Sequence, residues 1–106
     1  MNLTLIPSPF ALDKHRVSVG RAPETLLAAG LVDQLYSDGH TVNAVERDLN
    51  LGGGTVLQRI GRNDAILAEA VAAAHRNNSL PVILGGDCLV SIGIVAGLRR
   101  ALDSDF

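Results

Sequence analysis

The stretch that decides the fold is PVILGGDCLVSIGIVAGL, residues 81–98. Residues 82–84 would be apolar on both faces of a strand, as in the middle of a parallel sheet with helices on either side. Two glycines and an aspartate then end the strand, and a helix is predicted from about residue 89 to residue 102. The stretch therefore predicts a strand–turn–helix unit of an α/β protein.

A similar unit begins the chain. A short strand is predicted over residues 2–6, followed by a long loop over residues 7–22. Pro23 stands where proline is favoured, at the start of a helix, and the helix is expected to continue to residue 37. Gly30 inside this helix costs about 1 kcal/mol relative to alanine, so we expect another part of the chain to pack closely against it.

A second unit lies between these two. The strand over residues 41–47 is the most polar of the three, which suits the edge of a sheet. A loop over residues 48–61 follows, and Asn63 or Asp64 is expected to cap the next helix because both side chains accept hydrogen bonds from free backbone N–H groups.

The alternation βαβαβα predicts a single α/β domain over residues 1–106, a three-layer αβα parallel sheet with right-handed crossovers. In strand order 2-1-3 or 1-2-3, the apolar strand 82–84 lies at an edge, and the helix over residues 88–102 is apolar nearly all round. Both features favour a missing neighbour. It is either the C-terminal remainder of the same fold or a second copy in a homo-oligomer. A loop or the C-terminal tail covering the edge is the remaining alternative.

Composition narrows the class of protein. The chain has 106 residues, a net charge of −2, no Trp, two Phe and one Tyr. A basic face of the kind that binds nucleic acid or membranes is therefore not expected, nor are aromatic platforms for bases, and neither nucleic acid nor a membrane is predicted as a partner. Cys88 is the single cysteine, which fits a reducing compartment and predicts a cytoplasmic protein. The apolar stretch is not interpreted as a membrane span because residues 85–87 interrupt it.

The turn after the third strand is the first candidate site. Open α/β sheets bind ligands outside the carboxyl ends of their strands, and Gly85 and Gly86 allow close backbone approach there. Asp87 and Cys88 would stand at the N-terminus of the following helix. Cys88 is then either a reactive or metal-binding thiol or a buried small hydrophobic residue.

The first loop is the second candidate. His15 and Arg16, beside a lysine, either line the rim of a pocket for an anionic ligand or form a solvated basic patch. The pattern of residues leaves both interpretations open.

Residues 81–98 resemble the first signature of the arginase family, the ureohydrolases, which include arginase, agmatinase and formimidoylglutamase. That signature is a strand, then Gly-Gly-Asp-His, then a helix of small residues. Residues 2–6 resemble the first strand of the family, and residues 20–35 resemble the opening of its first helix. The resemblance covers the whole chain but only about the N-terminal third of the family's fold.

The resemblance implies a binuclear manganese hydrolase that acts on guanidino or amidino C–N bonds of a small guanidino substrate. In such a site a hydroxide bridges the two metals and attacks the guanidinium carbon. Cys88 occupies the position of the family's first metal ligand, a histidine, although manganese prefers hard oxygen and imidazole ligands. The family's later ligand motifs are absent. Residues 103–105 match one of them only in letters and are interpreted as a solvated acidic tail.

We therefore expect the N-terminal part of an arginase-like hydrolase that is inactive by itself. Two alternatives stay open. One is a noncatalytic oligomerising domain in which strand 82–84 pairs across a subunit interface. The other is a small thiol-dependent domain that uses Cys88.

Overall fold

The computed structural model describes residues 1–11, 13–15, 17–45 and 50–102. Its elements in chain order are β1 (Asn2–Ser8), β2 (Phe10–Ala11), β3 (Lys14–His15), a 3-10 turn (Ser18–Arg21), α1 (Ala22–Ala28), α2 (Leu31–Ser37), β4 (Thr41–Ala44), α3 (Val56–Arg76), β5 (Leu80–Gly85) and α4 (Val90–Leu102). The main sheet has the order β4-β1-β5, and both of its pairings are parallel. The predicted alternation is confirmed, with strand order 2-1-3 for the three main strands.

Helices lie on both faces of this sheet. Side chains alternate along a strand, so Ile6 of β1 faces α3, where it packs with Leu67 and Val71 in a fully buried cluster. Leu3 and Leu5 point to the opposite face and are also buried, where α1 contacts β5 and α2 contacts β4. The three-layer arrangement is thereby confirmed.

The predicted helix from Pro23 to residue 37 is wrong in one respect, because the structure has two helices that meet at Gly30. Gly30 has φ +95°, in the left-handed region that favours glycine. A Cβ built at Gly30 would meet nothing within 4 Å, so the prediction of close packing there is also wrong. The glycine serves the backbone turn between α1 and α2.

The predicted cap of the second helix is also wrong, because α3 begins at Val56, seven residues before Asn63. Thr55 caps it: the Thr55 hydroxyl accepts from the Gln58 N–H at 3.2 Å, and the Gln58 side-chain oxygen accepts from the Thr55 N–H at 2.9 Å. This reciprocal pair is a capping box. Asn63 and Asp64 lie inside α3 and are buried.

The predicted loop over residues 7–22 contains more regular structure than expected. β1 continues through Pro7 to Ser8, and β2 and β3 form a short antiparallel hairpin before the 3-10 turn. The N–H of Val45 donates to the Leu5 carbonyl at 2.9 Å, so the backbone groups of Leu5 and Pro7 face the β4 side of β1. The β1–β4 pairing ends at Leu5, so no ladder bond to β4 is lost at Pro7. Proline is tolerated in a strand where no ladder bond is lost.

The second main strand is shorter than predicted. β4 ends at Ala44, and residues 46 and 47 of the predicted strand lie outside the described residues. The acidic segment 103–105 does as well. Among the described helices, none has both the length and the apolar character that a bilayer span requires.

Candidate functional site at the carboxyl ends of β1 and β5

The carboxyl ends of β1 and β5 lie side by side, with Ser8 opposite Gly85. The next residue, Gly86, lies directly against the segment that follows β1. A Cβ built at Gly86 would overlap the Phe10 carbonyl oxygen and would lie 3.1 Å from the Cα of Gly20. Only glycine allows this backbone contact, so Gly86 permits a close backbone approach at this turn, as predicted.

Asp87 orders the turn that leads into α4. One of its carboxylate oxygens accepts a hydrogen bond from the Leu89 N–H at 3.1 Å, which satisfies a backbone donor near the start of the helix. Cys88 lies between them and is exposed. Its interpretation as a buried small hydrophobic residue is therefore wrong.

Asp64 is a second carboxyl group at this turn, contributed by α3. Its side chain is buried. A Cβ built at Gly93 of α4 would lie only 2.8 Å from the backbone carbonyl oxygen of Asp64. Burial raises the pKa of Asp64 above its ordinary value. A hydrogen bond from the Gly93 backbone lowers this pKa in part, and the negative charge of Asp87 raises it further. Asp64 thus takes up a proton more readily than an exposed aspartate.

The end of β1 is tied to α3 by a buried polar contact. The Asn63 side-chain N–H donates to the Ser8 hydroxyl at 3.2 Å, and both residues are buried. Because buried polar groups are costly without partners, moving β1 relative to α3 would break this bond at a cost. The bond therefore holds the two elements in one relative position beneath the turn.

The β2–β3 hairpin borders the same region. The exposed His15 ring lies 5.4 Å from the buried Phe10 ring, centroid to centroid. The Arg59 guanidinium of α3 pairs with Asp13 at 2.6 Å and so ties the hairpin turn to the helix. Arg16 lies outside the described residues, so the predicted anion pocket at His15 and Arg16 stays a prediction.

The family assignment follows from comparison with known proteins, since the model of the arginase family matches residues 1–106. The chain belongs to the arginase family. The resemblance of residues 81–98 to that family is thereby confirmed, and the Gly85–Gly86–Asp87 turn is the part of this arginase-family chain on which the proposals below depend.

Arginase-1 of Rattus norvegicus is 28% identical to this chain, over 92% of the chain and 33% of the rat protein. Arginase-1 of Oryctolagus cuniculus is 29% identical, over 91% of the chain and 32% of that protein. The chain therefore spans about a third of the length of these relatives.

Solved structures show the same fold. The arginase of Bacillus subtilis superimposes with a TM-score of 0.80 and 25% identity, over 94% of this chain and 34% of that one. The arginase of Bacillus cereus superimposes with a TM-score of 0.81 and 24% identity, over 94% and 35% of the two chains.

Manganese, which the arginase family implies, does not fit the ligands that the described residues supply. In residues 1–11, 13–15, 17–45 and 50–102, no three side chains of His, Cys, Asp or Glu come together in a group that could hold a metal ion. Cys88, which the resemblance predicts at the family's first metal-ligand position, offers sulfur, whereas manganese prefers oxygen and imidazole nitrogen.

Sequence reasoning missed Asp64, Asn63 and Ser8 as parts of this region. A signal for the first two was present, because Thr55-Val-Leu-Gln58 has the spacing of a capping box. Starting the helix there places Asp64 on the same face as Leu67 and Val71. The pairing of Ser8 with Asn63 joins residues 55 positions apart and had no local signal.

Proposed function

We propose that this chain is the N-terminal part of an arginase-type hydrolase of guanidino or amidino C–N bonds, active in the cytoplasm. The observation that carries the proposal is the Gly85–Gly86–Asp87 turn at the carboxyl ends of β1 and β5, in a chain of the arginase family. In this reaction water adds its oxygen to the central carbon, and the amine leaves with a proton. A guanidino substrate yields urea, and a formimino substrate yields formamide.

The chain's own contribution is to shape one wall of the site. Gly86 sets the turn against Phe10 and Gly20, and Asp87 orders the entry into α4. Asp64 lies behind this turn with its negative charge disfavoured by burial. These residues supply a rigid turn and a proton-holding carboxyl group, but too few convergent groups for the reaction by themselves.

The missing groups would come from the remainder of the fold. In the described residues β5 pairs only with β1, so its other edge presents backbone groups without a strand partner. The outer face of α4 on the same part of the molecule exposes Ile92 and Val95. A further segment that pairs with β5 and covers this apolar face would bring its own side chains to the carboxyl ends of the strands.

The test is hydrolysis by the full-length natural protein, incubated with divalent manganese, cobalt or zinc. A panel of arginine, agmatine and formiminoglutamate is assayed for urea or formamide release. We expect turnover of one panel member by the full-length protein and none by residues 1–106 alone. No turnover of any member with any of these metals would contradict the proposal.

A matched pair of glycine substitutions ties the activity to the turn. Gly86→Ala places a methyl group on the Phe10 carbonyl, whereas Gly61→Ala on α3 meets nothing within 4 Å. We expect the first to lower kcat/KM at least about tenfold and the second to leave it unchanged. Equal activity of the two variants would remove the turn from the site.

The open edge of β5 also supports a second candidate, a noncatalytic domain that associates through this strand. An apolar strand without a second neighbour invites pairing with another chain. Light scattering over a concentration series would show a dimer that dissociates on dilution. A stable monomer at the highest concentration would contradict this candidate.

A thiol-dependent function of Cys88 stays the third candidate. Its exposure makes the test direct, because the rate of labelling by a thiol reagent can be measured against pH. Labelling no faster than that of a free cysteine in a short peptide would dispose of it.

A further inference from the structure

We infer that position 88 of this protein does not hold manganese, and that the thiol of Cys88 is the reason. The inference rests on the proposed function, since it concerns the metal that an arginase-type hydrolase would need. It concerns one residue of this chain, and its readout is bound metal and not turnover.

The chemistry of the donor is the first argument. Manganese is a hard cation that binds carboxylate, carbonyl and imidazole ligands in preference to thiolate. A thiol must also lose its proton before it can act as a ligand, whereas a neutral imidazole already presents a free lone pair. Replacing imidazole by the thiol of Cys88 therefore weakens manganese binding through both ligand softness and proton competition.

The rigidity of the turn is the second argument. A cysteine side chain is shorter than that of histidine, so its sulfur reaches the place of an imidazole nitrogen only if the backbone moves inward. Gly86 leaves no room for a shift towards Phe10, because a Cβ built there would overlap the Phe10 carbonyl oxygen and lie 3.1 Å from the Cα of Gly20. The hydrogen bond from Leu89 to Asp87 holds the other side of Cys88. The turn thus keeps the thiol at a fixed and shorter reach.

The neighbouring carboxyl groups do not compensate. Asp87 accepts from the Leu89 N–H at 3.1 Å, and Asp64 is buried and interacts with the Gly93 backbone at the start of α4. Among the residues that the structure describes, these two and Cys88 do not form a group that could hold a metal. The imidazole lost at position 88 is not replaced from nearby.

The test is manganese binding by the full-length natural protein and its Cys88→His variant. Each is equilibrated with manganese chloride and freed of unbound metal. Bound manganese per chain is then measured by inductively coupled plasma mass spectrometry, and the affinity for manganese by isothermal titration calorimetry. We expect Cys88→His to bind one additional manganese per chain, with a dissociation constant at least about tenfold lower than that of the wild type. Because Cys88 is exposed, the substitution leaves the core undisturbed.

Two variants control for side effects. Cys88→Ser removes the thiol without adding imidazole and should bind no more manganese than the wild type. Leu57→His adds imidazole at a position on α3 that is 79% exposed, and should also match the wild type. A gain in Leu57→His equal to that in Cys88→His would overturn the inference, since any added histidine would then suffice.

The remaining outcomes are also decisive. A wild type that already binds as much manganese as Cys88→His overturns the inference, and so does a Cys88→His variant that gains none. Turnover of the substrate panel is recorded on the same samples. A gain of manganese in Cys88→His, together with no turnover of any panel member in manganese, cobalt or zinc, supports the inference while contradicting the proposed function. Turnover by a wild type with its full complement of manganese does the reverse.

Discussion

The two faces of α4 are both apolar, yet only one of them is packed against other described residues. On the inner face, a Cβ at Gly97 would lie 2.8 Å from the Cβ of Val71 on α3, and a Cβ at Gly93 would lie 3.1 Å from that of Leu67. On the outer face, Ile92 is 61% exposed and Val95 49% exposed. Hydrophobicity alone therefore does not identify the packed face of this helix. The spacing of its glycines does, because it marks where two backbones approach.

The outer face of α4 lies on the same side of the molecule as β5, an edge strand of the described sheet. β5 has a strand partner on one side only within the described sheet. By contrast, the opposite edge strand β4 is short and exposes Thr41 and Asn43, as natural sheet edges do. The β4 side thus has the character of a sheet edge, whereas the side of β5 and α4 combines a strand edge unpaired within the described residues with exposed apolar side chains.

The largest expected effect breaks the inner face. Gly97→Val would place its side chain on the Ala68 carbonyl, 2.5 Å from a Cβ at this position, and on Val71, so α3 and α4 would have to separate. We expect the free energy of unfolding to fall by about 3 kcal/mol, measured by chemical denaturation. A loss below about 0.5 kcal/mol would show that the helices are not held at this distance.

Gly61→Ala is the matched control for that substitution. Gly61 lies in α3, is exposed and has nothing within 4 Å of its missing Cβ. Alanine there should increase stability by up to about 1 kcal/mol through helix propensity and the unfolded-state entropy. Opposite signs for the two glycine substitutions would confirm that close packing, not helix formation, requires glycine at position 97.

The outer face is expected to respond according to what covers it. The double variant Ile92→Gln, Val95→Gln should change the stability of residues 1–106 by less than about 0.5 kcal/mol, because both side chains are already exposed. In the full-length protein the same pair should cost about 2 kcal/mol, since it would lose buried apolar area. Equal effects in both chains, measured by thermal unfolding, would contradict the covering of this face.

The smallest effect concerns the buried carboxyl group of Asp64 on α3, which packs against the start of α4. Burial raises the Asp64 pKa, so the protonated form is favoured by folding. Its contribution to stability is fully present below the pKa of the unfolded chain and is lost as pH rises through the raised pKa of the folded chain. The stability of the wild type relative to Asp64→Asn should therefore decline from about pH 3 towards neutral pH.

Denaturation of both proteins across this pH range measures that difference. The comparison removes titrations that the two proteins share. Asp87 is the charged group whose negative charge raises the Asp64 pKa further. A relative stability that rises with pH would mean that the Gly93 hydrogen bond outweighs burial.

The parts of the fold predicted from the sequence are those with dense local signals. The third strand, the turn at Gly85 and Gly86, and the helix after it combine an apolar run, two glycines and a period change within 22 residues. The helix before it begins earlier than the sequence predicts, because Asn63 and Asp64 are not its caps. In α3 they are instead polar residues that the fold buries, one against Ser8 and one against α4.

The sequence by itself determined the alternation of the three main strands with helices, the glycine turn after the third main strand and the resemblance to the arginase family. These follow from residue spacing and from backbone conformations that only certain residues adopt. Only the tertiary structure decided that Gly30 breaks a helix in open space while Gly86, Gly93 and Gly97 are pressed against other backbones. It also decided that Cys88 is exposed and Asp64 buried. The physical reason is that burial and close approach depend on contacts between residues far apart in the chain, which no local pattern records.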